Sequence, residues 1–281
     1  MALTLSIDIE TRSSVNIDCG TYKYTEAPDF TILLLSYAYG DGLTYGPVVT
    51  VDLAKTLIPL HIENALTDPS IVKTAFNAFF ERTCLAKYLG QYMPPEQWRC
   101  TMIKAATLGL PLKLQVLAEK ALKLPVLKEA EGKALIKFFS VPHALSKKDC
   151  MEVFTAEELV KLFPDLWFTW SETIPTKLCF SDDPKVHKSQ DVAWRKECAK
   201  YIIGKDIMVY YQPHHDPEKW ERYKHYNNTD VVVEIEVLKR ISWHNVPKSE
   251  QELWNVDQQI NELGVSIDMR LVNNALAIYA I

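Results

Sequence analysis

The chain has 281 residues, room for two ordinary domains or one large α/β domain. Hydrophobic residues at 48% and charged residues at 24% exclude a disordered chain, and no apolar run reaches the ~18 residues that would span a membrane. The net charge of −5 excludes a generic DNA binder, because non-specific affinity comes from Lys and Arg on phosphates, so any nucleic-acid role must rest on a local site.

Residues 3–10 alternate strictly, with Leu3, Leu5, Ile7 and Ile9 on one face and Thr4, Ser6, Asp8 and Glu10 on the other. That is a β-strand, and its apolar face puts it in the interior of a sheet. A second strand runs from Phe30 to Tyr39, ends at Gly40-Asp41-Gly42, and is followed by an extended run from Leu43 to Leu53. The pair reads as an antiparallel hairpin. Residues 54–66 read as a helix bent or shortened by Pro59. Ile71 to Phe76 reads as a short buried strand, and Asn77 opens a helix to about Leu89. Thr101 to Leu124 is helical in two pieces broken at Leu110-Pro111, and Lys128 to Phe139 is another helix. Residues 143–212 contain helical runs at 155–163 and 189–203. Trp220 to Trp243 is a long helix, and a new one begins near Lys248. Strands first and helices after them predict an α/β or α+β domain with a mixed sheet.

Three groups of residues carry chemistry. Asp8 and Glu10 are i and i+2 on a strand, so they point the same way about 7 Å apart. Two adjacent acids on an interior strand invite a divalent cation; the alternative is an edge strand with a solvated polar face. The second group is Asn77-Ala78-Phe79-Phe80-Glu81, where Asn77 can cap the helix. Glu81 stands one position too late for a capping box and, at i+4, faces the same side as Asn77. Read alone, it is a surface Glu beside Arg82. The third is Tyr226-Asn227-Asn228-Thr229-Asp230 within the long helix, where Tyr226 and Asp230 share a face. Asp is a poor mid-helix residue, and Val231, Val232 and Val233 follow it, so it needs either a ligand or a lysine such as Lys224 or Lys239.

Taken in order, LSIDIET, TAFNAFFERTCL and YNNTDVVVE resemble the three motifs of the four-acid 3′→5′ exonucleases, in the tyrosine-containing subclass. The chain looks most like the N-terminal proofreading domain of bacteriophage-type family A (polymerase I-like) DNA polymerases. WRCTMIKAATLGLP, LAEKALKLP, EGKALIKFFSVP and HHDPEKWERYKHY carry the same resemblance, and ELWNVDQQINELGVSIDMRLVNNAL is similar to the segment leading into the polymerase domain. The resemblance covers nearly the whole chain apart from residues 143–212. It implies a ribonuclease H-like fold: a five-stranded mixed sheet with flanking helices, here with a helical insertion at about 143–212. It also implies an exonuclease domain over 1–247 and the start of the polymerase connection over 248–281.

Carried over residue by residue, Asp8, Glu10 and Asp230 match acidic metal ligands. Glu81 matches the remaining acid, although Asp is common there in the wider superfamily. Tyr226 and Asn77 match polar motif positions. The expected cofactors are two divalent cations, Mg²⁺ or Mn²⁺. In this expectation Asp8 bridges the ions, Glu10 and Glu81 complete the shell, Asp230 serves the ion that activates water, and Tyr226 orients that water. Thr11, Asn77 and Phe80 are the candidate substrate contacts, with Phe79 and Phe80 serving either as core or as a wall for a base to stack on.

The expected substrate is a single-stranded DNA 3′ end. An RNA-directed exonuclease and a non-catalytic scaffold are the alternatives. The late aspartates, Asp257 and Asp268, lack partner carboxylates, so no primer extension is expected, and a polymerase domain would be separate or missing. The apolar face of Leu253, Val256, Ile260 and Leu263 is expected to pack on the exonuclease or on a second polypeptide.

The remaining signals are bland. MALTLSIDIET has no basic n-region and does not read as a signal peptide. Cys19, Cys84, Cys100, Cys150, Cys179 and Cys198 form no C-x-x-C, which suits reduced thiols in the cytoplasm, that of the host if the protein is viral. His214 and His215 show no third ligand nearby in the sequence. Residues 143–212 hold ten Lys/Arg and eleven Asp/Glu, which gives no electrostatic case for DNA there. Trp167, Phe168 and Trp170 read as an anchor of the insertion to the main body, the alternative being a guide for the strand or a surface for a partner. Lys128 and Lys133 read as a solvated helix face, the alternative being residues that track phosphates.

Overall fold

A computed structural model describes residues 3–125, 131–172 and 184–279. Lys128, Cys179 and part of the 143–212 insertion lie outside them.

The alternating segment forms β1 (Thr4–Arg12). It is followed by a short helix α1 (Thr21–Glu26), then β2 (Thr31–Gly40) and β3 (Val49–Asp52). Helix α2 (Leu60–Thr67) begins only after Pro59. Pro59 therefore marks the start of the helix and does not bend it, as suits a residue without an N–H to give to the ladder. Strand β4 (Val72–Ala75) leads into α3 (Ala78–Leu89), which stops where Gly90 takes a left-handed φ of 64°. A three-residue strand, β5 (Trp98–Cys100), then precedes α4 (Thr101–Ala106) and the single turn α5 (Leu114–Val116).

The sheet order is β3-β2-β1-β4-β5. β2 pairs antiparallel with β3, while β4 is parallel to both β1 and β5. This is an α/β fold with a five-stranded mixed sheet and flanking helices, and it fits a ribonuclease H-like arrangement. β1 is the central strand, as its pattern predicts. Both its faces are buried: Leu5, Ile7 and Ile9 on one side, Thr4, Ser6 and Glu10 on the other.

The later chain forms α6 (Gly132–Ser140), β6 (His143–Ala144), α7 (Ala156–Leu162), α8 (Pro164–Ser171), α9 (Pro184–Tyr201) and β7 (Met208–Val209). Then come α10 (Pro217–Arg240), α11 (Lys248–Leu263) and α12 (Met269–Tyr279). β6 and β7 pair antiparallel and close the base of the insertion.

The chain clusters into two compact units, residues 1–9, 34–128 and 227–281 in one and residues 10–33 and 129–226 in the other. The boundaries fall inside β1, β2 and α10, each an unbroken element. In the first unit, Val233, Val237 and Ile241 of α10 pack with Ala105, Leu117 and Ala118. Val231 and Ile235 pack on Ala38 of β2. In the second unit, Leu159, Phe163, Trp167, Trp194 and Cys198 build a core belonging to the insertion. Trp167 and Trp194 meet edge to face at 5.0 Å. The aromatic cluster therefore makes the insertion's own core, and Phe168 stays exposed. Among the described residues no helix is long and apolar enough to cross a membrane.

Candidate active site

The polar face of β1 and one face of α10 meet as a ladder. From the N-terminal end of α10, Tyr223 donates to Glu10 at 2.7 Å, and Asn227 donates to Asp8 at 2.6 Å. Ser6 then donates to Glu234 at 2.8 Å. The helix runs antiparallel to the strand. Two strand residues advance about 6.7 Å and four helix residues about 6 Å, so the first two rungs are in step, while the third is seven helix residues further on.

Asp230 lies on the same helix face, three residues after Asn227. Asp8, Glu10 and Asp230 each bring a carboxylate oxygen within 4.8 Å of the others. Asp8 and Asp230 are half-buried and Glu10 is buried. Lys224 and Lys239 of the same helix pair with Glu221 and Glu236 at 2.7 Å each.

Tyr226 is seated by its surroundings. Its ring stacks on Tyr223, with centroids 6.4 Å apart, and Tyr223 stacks on Phe139. The ring also lies against Gly132, where any Cβ would collide with it. The glycine in EGKALIKFF is therefore the residue that makes room for the tyrosine.

The remaining candidates lie on β1 and at the start of α3. Glu81 is buried in the first turn of α3, near enough to Cys84 and Cys100 to help burial push both thiols up, Cys100 to about 11. It is not one of the three acids gathered within 4.8 Å. Asn77 holds the N-cap position of α3, but its side chain makes no capping hydrogen bond, contrary to expectation. It is exposed, and Phe79 and Phe80 are half-buried. Thr11 is buried, with its hydroxyl 2.8 Å from that of Tyr24.

Three residues of this region carry no signal in the sequence reading. Tyr223 and Asn227 could have been found by helical spacing alone, at i−7 and i−3 from Asp230. Glu234 is one turn further on. It is fully buried, takes hydrogen bonds from Ser6 and from Thr101 at 2.6 Å, and burial pushes its carboxyl up to about 7.

A second group lies in the insertion. Glu158 receives His214 Nε2 at 2.7 Å and His215 Nε2 at 3.1 Å, so the third ligand type absent from the local sequence arrives from α7. However, the Gln212 N–H donates to His215 Nδ1 at 3.0 Å. That leaves the ring proton on Nε2, facing Glu158. An ion at Nε2 would move the proton to Nδ1, against another donor. This group is a hydrogen-bonded lock that ties Glu158 to the 212–215 turn.

No family model matches the chain, and no solved structure does. The chain is 41% identical over 276 residues to a DNA polymerase of Bacillus phage SP02. The match takes in 98% of this chain and 33% of that polymerase. Almost the entire chain is thus similar to about a third of the length of the curated phage DNA polymerase it matches.

Proposed function

We propose that this chain is a divalent-metal-dependent 3′→5′ exonuclease that trims single-stranded DNA ends, of the proofreading type. The observation that carries the reading is the convergence of Asp8, Glu10 and Asp230 on the central strand and one long helix. The similarity to a phage DNA polymerase supports DNA as the substrate. Residues 1–247 are assigned to the exonuclease and 248–281 to the connection toward a polymerase domain, held in a longer chain or a separate one.

The donor set fits hard cations. Mg²⁺ binds carboxylate oxygens at 2.0–2.1 Å, so two oxygens on one ion lie up to about 4 Å apart, and oxygens shared across two ions lie further. The 4.8 Å grouping is of that size. Bound there, a pair of Mg²⁺ or Mn²⁺ ions stabilises the attacking and leaving oxygens of an in-line phosphodiester displacement. Asp8, Glu10 and Asp230 are the residues assigned to hold them, with Glu81 as the fourth acid from α3. Tyr226 orients the attacking water through its hydroxyl. With a reference pKa of about 10, that hydroxyl positions the water and does not act as a strong base. Asn77, Phe80 and Thr11 remain the candidate contacts to the terminal nucleotide. The hydroxyl of Thr11 lies 2.8 Å from that of Tyr24.

The test is digestion of a 3′-labelled single strand with and without EDTA, on DNA and on RNA. Stepwise loss from the 3′ end of DNA, abolished by EDTA, is expected. Equal or faster loss of RNA would move the substrate class, and no loss of either would leave a binding module. Incorporation of a dNTP on a primed template would overturn the view that the chain lacks a polymerase site.

A further inference from the structure

We infer that Tyr223 and Asn227 are positioning residues, each holding one acid of β1 in the orientation a divalent ion requires. This rests on the metal-dependent reading above and deepens it.

Both residues are completely buried. Each is itself fixed from behind, and hydrogen bookkeeping gives each network one direction. Tyr223 has a single hydroxyl hydrogen, which goes to Glu10, so Ser140, 2.8 Å away, must donate to Tyr223. Asn227 gives its amide N–H to Asp8 and takes Ser36 on its carbonyl at 2.5 Å. Ser36 has then spent its hydrogen, so Thr50, at 2.7 Å, donates to Ser36. Asn228 in turn donates to Thr50 at 3.1 Å. The result is two one-way chains, Ser140 to Tyr223 to Glu10, and Asn228 to Thr50 to Ser36 to Asn227 to Asp8. Reversing a link between hydroxyls would spend the hydrogen that the next acceptor needs and leave two oxygens facing each other with none between them, which costs more than the bond is worth.

The chemical identity of the two donors matters. An amide and a phenol orient a carboxylate without carrying a positive charge of their own. A Lys or Arg in their place would compete with the ion. Hydrogen-bonded partners of this kind around metal-binding carboxylates are worth about 10–100-fold in metal affinity.

The experiment is isothermal titration of the full chain with Mn²⁺ alone, together with thermal melts in EDTA. Tyr223→Phe deletes one oxygen and keeps the ring stacked on Phe139. Asn227→Ala removes the donor to Asp8. Each is expected to weaken Mn²⁺ binding by about 10–100-fold. In digestion assays the Mn²⁺ concentration for half-maximal rate should rise while the rate at saturating Mn²⁺ recovers, a shift that mere loss of stability would not produce. If Asn227→Ala fails to fold, Ser36→Ala, which leaves Asn227 in place but unbraced, should weaken Mn²⁺ binding several-fold. A residue whose variants stay within about twofold of the wild-type affinity is no positioning residue, and that result overturns the inference for it. A wild-type chain that binds no Mn²⁺ overturns both this inference and the metal-dependent reading, whereas unchanged affinity in the variants overturns the positioning alone.

Discussion

Among the described residues two groups of side chains gather metal-type ligands, and they differ in what their protons do. Asp8, Glu10 and Asp230 bring three carboxylates together, held on β1 by an amide and a phenol. Glu158, His214 and His215 bring one carboxylate and two imidazoles together. In the second group the acid has its own donors. Burial works to raise the Glu158 carboxyl, but the Thr155 amide and His215 outweigh it and leave it below its usual range. The lock is complete without an ion. In the first group three acids lie within 4.8 Å of one another, and in the function proposed above a divalent cation would offset their repulsion. Ligand type alone does not make a metal site; the protons already committed around it decide.

The largest test of that contrast is to remove the acids. Asp8→Ala and Asp230→Ala should each lower hydrolysis by about 1000-fold and abolish Mn²⁺ binding while the fold survives. Retention of activity within tenfold of wild type would reject the assignment. Tyr226→Phe is expected to cost less, about 10–1000-fold, because the acids remain. An unchanged rate would remove the hydroxyl from the mechanism.

Glu234 sharpens the contrast from below, as a buried acid of the same ladder whose oxygens take hydrogen bonds from the hydroxyls of Ser6 and Thr101. Its folded pKa of about 7 lies above the value of about 4.5 for an exposed Glu. A raised pKa means that the favourable contribution is fully present below about pH 4.5 and is lost as pH rises through about 7. The loss amounts to about 3 kcal/mol. Glu234→Gln should therefore be more stable than wild type at pH 8 by up to that amount and show a flatter stability profile between pH 5 and 8. Parallel urea midpoints at the two pH values for both proteins would contradict this.

On the insertion side the effects are smaller and purely structural. Glu158 also caps α7, taking the Thr155 N–H at 2.8 Å in a reciprocal box. Glu158→Ala should destabilise the chain by about 2 kcal/mol, through the lost cap and the unpaired buried His215. Neither Mn²⁺ binding nor DNA digestion should change by more than twofold, and a lost equivalent of bound Mn²⁺ would show that the lock is a metal site after all. The smallest effect on Mn²⁺ binding is expected from replacing residues 150–205, Glu158 included, with a short linker. Ala144 and Met208 are direct partners in the β6–β7 ribbon, so the chain ends are already close, and the removed stretch takes most of its own core with it. The shortened chain should fold and bind Mn²⁺ by circular dichroism and calorimetry; an insoluble product would place the stretch within the main core.

Much of this was legible from residue order. The alternation from Leu3 to Glu10 dictates a strand with its acids on one face, because side chains on a strand repeat every two residues. Gly40-Asp41-Gly42 marks the hairpin, and Asp230 in mid-helix marks a residue held there by more than propensity. The misses have physical reasons too. β5 is only Trp98-Arg99-Cys100, too short to show a period, and it exists because β4 offers it an edge. Glu158 stands far in sequence from His214, and only α7 brings it across. Tyr223 and Asn227 look like ordinary helix residues until β1 lies against them.

The sequence by itself determined most of the elements, the central strand, and which acids share a face, since these follow from local periodicity. The tertiary structure decided which of those acids meet and who holds them. Hydrogen bonds such as Tyr223 to Glu10 and Asn227 to Asp8 join residues more than two hundred positions apart, and a donor has no direction until its acceptor is packed in front of it.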